Sequence, residues 1–365
     1  MKEILFSFST TNLGGAEYQA YNLIKALDRK KYKIEVLVFL ENGKISEWYK
    51  KDRIKVTCLE GYKIGKIKML KRLNSFFKNN KYDIIYTFGY NADILTRFIT
   101  TFHKKNNYLI SAKRSVDANR SKIKVLLDRL TSRRIKYYIS NSKSAIELLK
   151  NREKISEKKI KYIPNGVDLE KFIINKSKKE LRRELKLPEN KFIIINLANL
   201  RPVKNQILLL EAVKELYRIN EDFFLIILGE GRERNNLENY ISNNKLENNC
   251  ILLGRKENIE EYLNASDIFV LTSKWEGMPG SIMESMACSI PVISTDVGDV
   301  RELIEDNKNG FVLKNFLKEN IKEKILYFFY NKKEVQEFGK KSKEKIKKFS
   351  FTEMIKKHEK IFDEE

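Results

Sequence analysis

The amino-acid sequence predicts an α/β protein with two doubly wound, Rossmann-like domains. Short apolar runs rich in β-branched residues alternate along the chain with segments whose apolar residues recur at helical spacing. This alternation is typical of parallel sheets that are covered by helices on both faces. The 365 residues contain eleven such strand candidates, which is too many for one compact sheet, and a chain of this length favours about two domains.

The strand candidates form two series. Six lie in the first half, at EILFSFS, KIEVLVFL, IKVTCL, DIIYTFG, NYLISAK and KYYISNS, and five lie in the second half, at KFIIINLAN, FFLIILGEG, CILLGR, DIFVLTS and PVIST. Helical patterns such as AEYQAYNLIKAL and QILLLEAVKELYRI separate them. We therefore expect the two domains to join between Asn165 and Glu180, in and just after YIPNGVDLEKF.

The positive charge of the chain is concentrated in its first half. Residues 1–180 carry 41 lysines and arginines against 18 acidic residues, a net charge of +23, whereas residues 181–365 carry 31 of each sign. An excess of positive charge in one half of a chain indicates an anionic partner. Nucleic acid and an anionic membrane surface are the two usual candidates. The alternative is an ordinary surface covered with solvated lysine.

Composition also limits the compartment and the kinds of site. No apolar run approaches the ~18 residues of a membrane span, and the start of the chain, MKEILFSFSTTNLGG, has too short an apolar segment for a signal peptide. Cys58, Cys250 and Cys288 are scattered, without the paired spacing of a disulfide framework or a zinc site. We expect a cytoplasmic protein.

Three unusual loops follow strand candidates. Gly14 and Gly15 follow the first strand, LRPVKN follows the first strand of the second half, and EGMPG follows DIFVLTS. In doubly wound sheets, ligands bind at the carboxyl ends of the strands, where helix N-termini and free backbone N–H groups favour phosphate. Arg201 and Lys204 of LRPVKN are cations suited to phosphate oxygens. A tight glycine turn and a basic surface turn are the alternatives.

Two glutamates stand around the third loop. Glu276 lies on the loop and Glu284 lies in the apolar segment that follows, with seven residues between them. Ser281-x-x-Glu284 also fits a capping box, which would explain Glu284 without a ligand. A carboxylate accepts strong hydrogen bonds from hydroxyl groups, so one glutamate on a ribose and one on a hexose, with cations on the diphosphate between them, indicate a nucleotide sugar.

These motifs resemble the retaining glycosyltransferases of family 4, which have the GT-B fold. The resemblance covers roughly residues 195–313 through NLRPVKNQILLLEA, LIILGEGRERNNLE, KWEGMPGSIMESMACSIPVIS and NGFVL, and more loosely LGGAE, YDIIYTFG and YIPNGVD in the first half. It implies two Rossmann-like domains facing a cleft. Residues 1–168 would form the acceptor-side domain, residues 169–345 the nucleotide-sugar-binding domain, and residues 346–365 a helix that crosses back to the first domain.

The resemblance also implies roles for individual residues. Arg201 and Lys204 should neutralise the donor diphosphate, Glu284 should hold the ribose, and Glu276 should hold the transferred sugar. The catalytic residues implied are Glu276, Lys204 and Arg201. The donor-binding residues implied are Gly15, Arg255, Gly277, Met278, Pro279, Gly280 and Glu284. Such enzymes generally need neither a bound metal nor a cofactor, because cations and helix dipoles stabilise the leaving charge.

The chain departs from the family pattern in ways that concern the acceptor. Asn199 stands where the family often has an arginine, and Phe88 stands where many members have a histidine. The two histidines of the chain, His103 and His358, fall elsewhere and receive no role. Candidate acceptor-side residues are Arg114 and Asn165. GDVREL also has Gly298-Asp299 where two glycines are usual.

The basic half contains a candidate membrane-binding segment. Residues 120–138 combine apolar residues at helical spacing (Ile123, Leu126, Leu127 and Leu130) with seven cations, and KIGKIKMLKR adds to the basic patch. Related enzymes that act on lipid-linked acceptors often carry such a helix, and a few cations near an anionic surface give reversible docking. The alternative is an ordinary helix whose apolar stripe faces the sheet.

The resulting prediction is a retaining glycosyltransferase that takes a UDP-sugar, in preference to a GDP-sugar, and extends a lipid-linked or polysaccharide acceptor of the cell surface. It would be cytoplasmic, with peripheral contact to the inner face of the membrane. Rival interpretations are a nucleic-acid-binding protein, which lacks any recognisable basic–aromatic module, a nucleotide-sugar epimerase or phosphorylase, and a non-catalytic transferase. We expect no nucleic-acid partner.

Overall fold

The computed structural model describes residues 1–12, 14–103, 107–113 and 121–364. The chain forms two compact units, of which unit 1 contains Met1–Gly166 and Phe351–Glu365 and unit 2 contains Val167–Ser350. Each unit is built on one parallel sheet with helices on both faces, so the α/β prediction is confirmed. The chain changes unit at Gly166 and at Phe351, a few residues from the expected boundaries.

Unit 1 has a seven-stranded sheet in the order β3-β2-β1-β4-β5-β6-β7. Its strands are β1 (Lys2–Thr10), β2 (Tyr32–Glu41), β3 (Lys55–Cys58), β4 (Ile84–Phe88), β5 (Tyr108–Ala112), β6 (Ile135–Ser140) and β7 (Ile160–Tyr162). Its α-helices are α1 (Gly15–Ala26), α2 (Lys44–Lys51), α3 (Gly61–Ile64), α4 (Lys66–Asn79), α5 (Tyr90–Phe102), α6 (Lys122–Thr131) and α7 (Lys143–Asn151), joined by the final helix of the chain (Phe351–Asp363).

The central strand β1 is apolar throughout because both of its faces are covered. Ile4 and Phe6 pack into the core on one face of the sheet, whereas Leu5 packs into the core on the other face, following the two-residue period of a strand. The final helix belongs to the first of these cores, where Phe362 is fully buried and its ring lies 6.4 Å from the ring of Phe6.

Unit 2 has a six-stranded sheet in the order β10-β9-β8-β11-β12-β13. Its strands are β8 (Phe192–Leu197), β9 (Phe223–Leu228), β10 (Cys250–Gly254), β11 (Ile268–Leu271), β12 (Val292–Thr295) and β13 (Gly310–Leu313). Its α-helices are α8 (Lys178–Glu184), α9 (Gln206–Tyr217), α10 (Arg234–Asn243), α11 (Ile259–Ala265), α12 (Gly280–Ala287), α13 (Val300–Leu303), α14 (Lys318–Tyr330) and α15 (Lys332–Ile346), so that the final helix is α16.

All eleven strand candidates are strands in the structure, and two further strands were not predicted. β7 has three residues and β13 has four, and both lie at the edge of their sheets, where one neighbouring strand suffices. Strands of three or four residues are too short to show an alternating apolar pattern, so the sequence alone does not distinguish them from loops.

The alternative interpretation of the basic segment, an apolar stripe facing the sheet, is wrong. α6 ends at Thr131 and the chain continues into β6, and Ile123, Leu126, Leu127 and Leu130 remain 72%, 55%, 41% and 66% exposed. Among the described side chains of α6, the one that is fully buried is that of Asp128. The physical reason lies in buried cations of unit 1 that attract this carboxylate, as described below.

Candidate functional site

The candidate site begins where the strand order of unit 2 reverses. β8 pairs with β11 in the middle of the sheet, and the chain leaves these two strands towards opposite edges. Such a reversal opens a crevice at the carboxyl ends of the two strands, which is the usual ligand site of a doubly wound sheet. The loops that follow are residues 198–205 and residues 272–279, so the structure brings together two of the loops selected from the sequence.

Hydrogen bonds to backbone carbonyl groups of the first loop hold the two loops side by side. The hydroxyl of Thr272 donates to the carbonyl oxygens of Lys204 and Asn205 at 3.1 and 3.0 Å, and the N–H of Lys274 donates to the carbonyl of Val203 at 2.7 Å. Asn205 adopts a left-handed conformation, with φ of 52°, as the residue preceding α9. The turn places Lys204 next to the second loop, while Arg201 is exposed to solvent.

The centre of the site is an ion pair between the two loops. Lys204 Nζ lies 2.5 Å from Glu276 Oε1, and the hydroxyl of Ser273 donates to the same oxygen at 2.6 Å. Glu276 is only 9% exposed and Ser273 is fully buried. The sequence identified Lys204 and Glu276 separately but gave no indication of this direct pairing, and it missed Ser273, whose position three residues before Glu276 was the available signal.

A third loop supports the backbone of Glu276 and Gly277. Gly298 has φ of +53°, and a Cβ atom there would lie 2.3 Å from the carbonyl oxygen of Glu276 and 2.4 Å from that of Gly277. Only glycine combines this conformation with so close an approach. The next residue, Asp299, donates its N–H to the carbonyl of Gly277 at 2.9 Å. The loop after β12 therefore fixes the backbone of Glu276 and Gly277, and with it the position of the Glu276 side chain.

The start of α12 differs from the predicted capping box. α12 begins at Gly280 after Pro279, and no side chain caps it, so Ser281 lies inside the helix and the capping-box interpretation of Glu284 is wrong. Pro279 is the extended residue before the helix, with φ of −73° and ψ of 114°, so the first helical residue is Gly280. Met278 is buried, whereas space remains open beside the Cα of Gly280.

Glu284 lies on α12 and is partly buried. Burial raises the pKa of its carboxyl group to about 7, with a smaller lowering by Lys171 and a raising by Glu260. Lys171 and Glu260 form their own ion pair at 3.4 Å. Within the described part of the chain, the Glu284 carboxylate has no hydrogen-bond donor. A hydroxyl group brought by a ligand would supply one and would lower the cost of its charge.

Arg255 lies at the carboxyl end of β10, at the same edge of the unit 2 sheet as the two loops. It follows β10 directly and is exposed, so its guanidinium is available to a ligand. The neighbouring loop contains Gly229, which has φ of +147° and whose added Cβ would lie 1.9 Å from the carbonyl oxygen of Ala198. This close packing of the loops after β8 and β9 was not predicted, although the run GEG was the signal for it.

Three of the four sequence positions considered in unit 1 lie in its described part. Gly15 is the first residue of α1, with open space where a side chain would stand. Asn165 is buried and accepts a hydrogen bond from the amide of Asn141 at 2.8 Å. Phe88 stacks on Phe8 in the core, with ring centroids 4.8 Å apart, so this position is structural. Arg114 lies outside the described residues.

Two family profiles match the chain and together span most of it. The profile of glycosyl transferases group 1 matches residues 177–345, which include both loops of the ion pair, and the profile of glycosyltransferase family 4 matches residues 13–171. The chain belongs to the family 4 glycosyltransferases. It is therefore a transferase, as the sequence motifs predicted.

Individual relatives agree with this assignment. The chain is 28% identical over 319 residues, 82% of its length and 81% of the relative's, to an Escherichia coli UDP-Gal:alpha-D-GlcNAc-diphosphoundecaprenol alpha-1,3-galactosyltransferase. It is 29% identical over 324 residues, 82% of each chain, to a Campylobacter jejuni N-acetylgalactosaminyltransferase whose name specifies a diphospho-undecaprenol acceptor. The crystal structure of Anabaena HepE in complex with UDP superposes with a TM-score of 0.88 at 20% identity over the whole of both chains, which establishes the GT-B fold.

Proposed function

We propose that this glycosyltransferase moves a sugar, with retention of anomeric configuration, from a UDP-sugar to a lipid-linked or polysaccharide acceptor in cell-surface glycan synthesis. The observation that carries the proposal is the contact of Lys204 and Ser273 with one oxygen of Glu276 at the carboxyl ends of β8 and β11. A cation suited to a diphosphate and a carboxylate suited to sugar hydroxyls lie side by side there, as the transfer of a nucleotide sugar requires.

The reaction would proceed by cleavage of the bond between the anomeric carbon and the β-phosphate oxygen. UDP leaves with the electron pair, and Lys204 and Arg201 stabilise the negative charge that develops on it. The acceptor oxygen forms the new bond on the same face of the sugar, and its proton passes to the leaving phosphate oxygen. Glu276 orients the sugar through its hydroxyl groups, so we do not assign it the role of a general base.

The nucleoside half of the donor would lie along the same edge. Glu284 would accept hydrogen bonds from the ribose hydroxyls, and the backbone between Gly277 and Gly280 would line the sugar pocket. Arg255 would lie beside the base. UDP is favoured because the E. coli relative is named for UDP-Gal and because the HepE structure contains UDP. Neither a metal nor a cofactor is required in this scheme.

The acceptor would be reached at a membrane surface. Three helices of unit 1 expose large apolar residues, and they are neighbours, since α5 contacts both α4 and α6. We define the outer apolar surface by the exposed residues Ile67, Leu70, Phe98, Phe102, Ile123, Leu126, Leu127 and Leu130. The rings of Phe98 and Phe102 contact each other, with centroids 5.1 Å apart. Exposed cations accompany them, namely Lys66, Lys68, Lys71, Lys124, Arg129 and Arg133.

This combination of charge and apolar surface is complementary to an anionic bilayer. Each cation near such a surface contributes about 1 kcal/mol, and apolar side chains that enter the interface add to it. In the part of the chain that the structure describes, no helix is long and apolar enough to cross a membrane. We propose that the enzyme acts at the cytoplasmic face of the membrane, where lipid-linked acceptors with diphosphate groups are presented, and that nucleic acid is not its partner.

A transfer assay tests the reaction. The enzyme is incubated with UDP-, GDP-, ADP- and TDP-sugars and a short-chain polyprenyl diphosphate that carries one sugar, and the products are identified by mass spectrometry and by the anomeric coupling in NMR. We expect one UDP-sugar to give an α-linked product from an α-linked donor. Inversion would contradict the retaining mechanism, and an isomerised sugar without transfer would identify an epimerase instead.

Vesicle co-sedimentation tests the docking surface. We expect binding to vesicles with anionic lipid that weakens as salt is raised, because the cations are exposed and screened. The variant Leu126→Ser/Leu127→Ser should bind at least about tenfold less, since two apolar side chains of this size contribute more than 1.4 kcal/mol together. Equal binding to neutral vesicles, or unchanged binding by the variant, would contradict the proposal.

A further inference from the structure

The helix α6 is attached to unit 1 by its polar side. Among its described side chains, Asp128 is fully buried, whereas Ile123, Leu126, Leu127 and Leu130 form an exposed stripe. At helical spacing Asp128 lies on the side of α6 that is opposite this stripe. An ordinary surface helix has the reverse arrangement, with its apolar stripe against the core.

A buried arginine holds α6 at two positions. Arg97 of α5 is fully buried, and its Nη1 donates to Asp128 Oδ1 at 2.8 Å and to the hydroxyl of Thr131 at 3.1 Å. Lys113, which follows β5, approaches the other carboxylate oxygen of Asp128 at 3.3 Å. The contacts fix both the position of α6 along α5 and its rotation about its own axis.

The second acidic residue of this cluster cannot replace Asp128. Asp93 already pairs with Arg97 through both of its oxygens, and it accepts hydrogen bonds from Ser111 at 2.7 Å and from Thr87 at 2.9 Å. Two buried cations therefore face two buried carboxylates, and α6 supplies one of them. Without Asp128 the cluster would keep an uncompensated positive charge away from water, which is strongly unfavourable.

We propose that Asp128 is a positioning residue that fixes α6 with its aliphatic stripe outward and so builds the surface that docks onto an anionic lipid bilayer. This inference rests on the docking part of the proposed function. A helix held by its own aliphatic residues would bury them against the sheet. A helix held by an ion pair leaves them available to acyl chains, while its cations Lys124 and Arg129 remain exposed to lipid headgroups.

Hydrogen exchange without vesicles tests the attachment by itself. In Asp128→Asn, we expect the amides of α6 to exchange at least about tenfold faster, while the amides of α9 in unit 2 keep their rates. The matched control is Glu147→Gln, which removes an exposed carboxylate from α7 with the same change of charge. Unchanged exchange in α6 would overturn the proposal that Asp128 holds the helix.

Vesicle binding then connects the attachment to docking. The double variant Asp128→Asn/Lys113→Met leaves Arg97 paired with Asp93, so that the cluster stays neutral and the protein folds. We expect it to bind anionic vesicles at least about fivefold less than wild type, with unchanged release of UDP from the donor in solution. If it binds vesicles as wild type does, the positioning role is wrong. If wild type fails to bind while α6 exchange still responds to Asp128, the docking surface is wrong and the attachment stands.

Discussion

The two units share the order of six strands, but the charged residues at the carboxyl ends of these strands differ in their accessibility. In unit 2, Lys204 and Glu276 lie on loops and remain partly accessible, with 22% and 11% of their side chains exposed. In unit 1, Asp93 and Arg97 lie on α5 and Lys113 follows β5. Together with Asp128 they form a buried cluster of two cations and two carboxylates. The fold is common to both, whereas the accessibility of the charges is not.

From this difference we infer that the charged residues of unit 2 bind the ligand, whereas those of unit 1 stabilise the fold. The ion pair in unit 2 lies on loops, and Lys204 keeps 22% of its side chain exposed, so a diphosphate and a sugar can reach it and replace its contacts. The buried cluster in unit 1 cannot exchange its partners in this way, because removing one member leaves the others uncompensated. The same substitution, a carboxylate to its amide, should therefore affect activity in unit 2 and stability in unit 1.

The largest expected effect is on turnover. Glu276→Gln should lower the transfer rate by about 10²–10³, the range found when one group that stabilises a transition state is removed. The free energy of unfolding should change by about 1–2 kcal/mol, because the glutamine amide oxygen can still accept the hydrogen bond from Ser273 and Lys204 keeps 22% of its side chain exposed. Initial rates with saturating donor, together with urea unfolding, measure both quantities. A variant with full activity would remove Glu276 from the site.

The corresponding substitution in unit 1 should lower stability and leave UDP binding unchanged. Asp93→Asn should lower the free energy of unfolding by about 3 kcal/mol or more, since it breaks the pairing with Arg97 and Lys113 inside the protein. At a temperature where the variant is folded, its affinity for UDP should match that of wild type. A loss of UDP affinity with unchanged stability would contradict the assignment of ligand binding to unit 2 and of structural stabilisation to this cluster of unit 1.

Ionisation of Glu284 should destabilise the protein as pH rises, whereas ionisation of a carboxylate in an ion pair stabilises a protein. Burial raises its pKa to about 7, so the folded state binds this proton more tightly than the unfolded chain, in which the pKa is about 4.3. Its unfavourable effect therefore grows as pH rises from about 4.3 to about 7 and is constant above. Glu284→Gln should stabilise the protein by about 1–2 kcal/mol at pH 8 and by nothing at pH 4.

The same substitution should weaken UDP binding, by about tenfold, because a charged acceptor for the ribose is lost. In wild type, UDP affinity should increase as pH rises through about 7, when the Glu284 carboxylate ionises. Urea unfolding at pH 4 and pH 8 and UDP titrations across this range measure these effects. If Glu284→Gln destabilised the protein at pH 8, the carboxylate would have a structural partner and the ribose assignment would lose its basis.

The smallest effect is expected at Arg255. It is exposed and follows β10, so Arg255→Ala should leave stability unchanged and raise the Kd for UDP about two- to fivefold, as for one solvent-screened contact. Lys256→Ala, one residue further, is the matched control for loss of charge. Equal effects of both substitutions would indicate a general electrostatic contribution instead of a contact with the base.

The sequence predicted the parts of this fold that depend on periodicity. The continuous apolar run of β1 identified a strand with both faces covered, and the loops with Lys204 and Glu276 were placed at one edge because parallel strands end together. The pairing of these two side chains depends on β8 and β11 being neighbours in the sheet. Neither strand sequence by itself shows which strand lies next to it.

Two other features could not be predicted from local patterns. The capping box at Ser281 was wrong because the helix start was decided by Pro279 and Gly280, and both interpretations use residues common at helix starts. The sequence left the orientation of α6 open between a membrane-binding stripe and a stripe towards the core, because its amphipathic pattern fits both. Only the buried cations Arg97 and Lys113, distant in sequence from Asp128, explain it.

The most direct test of the account is calorimetric titration of UDP into wild type and Lys204→Met, with Glu147→Gln of unit 1 as the control. We predict one UDP per chain for wild type and for the control, and at least about tenfold weaker binding for Lys204→Met, because the diphosphate loses a charge-assisted contact. Unchanged affinity of Lys204→Met, or absence of UDP binding by the folded wild type, would contradict the claim that the loops after β8 and β11 hold the donor.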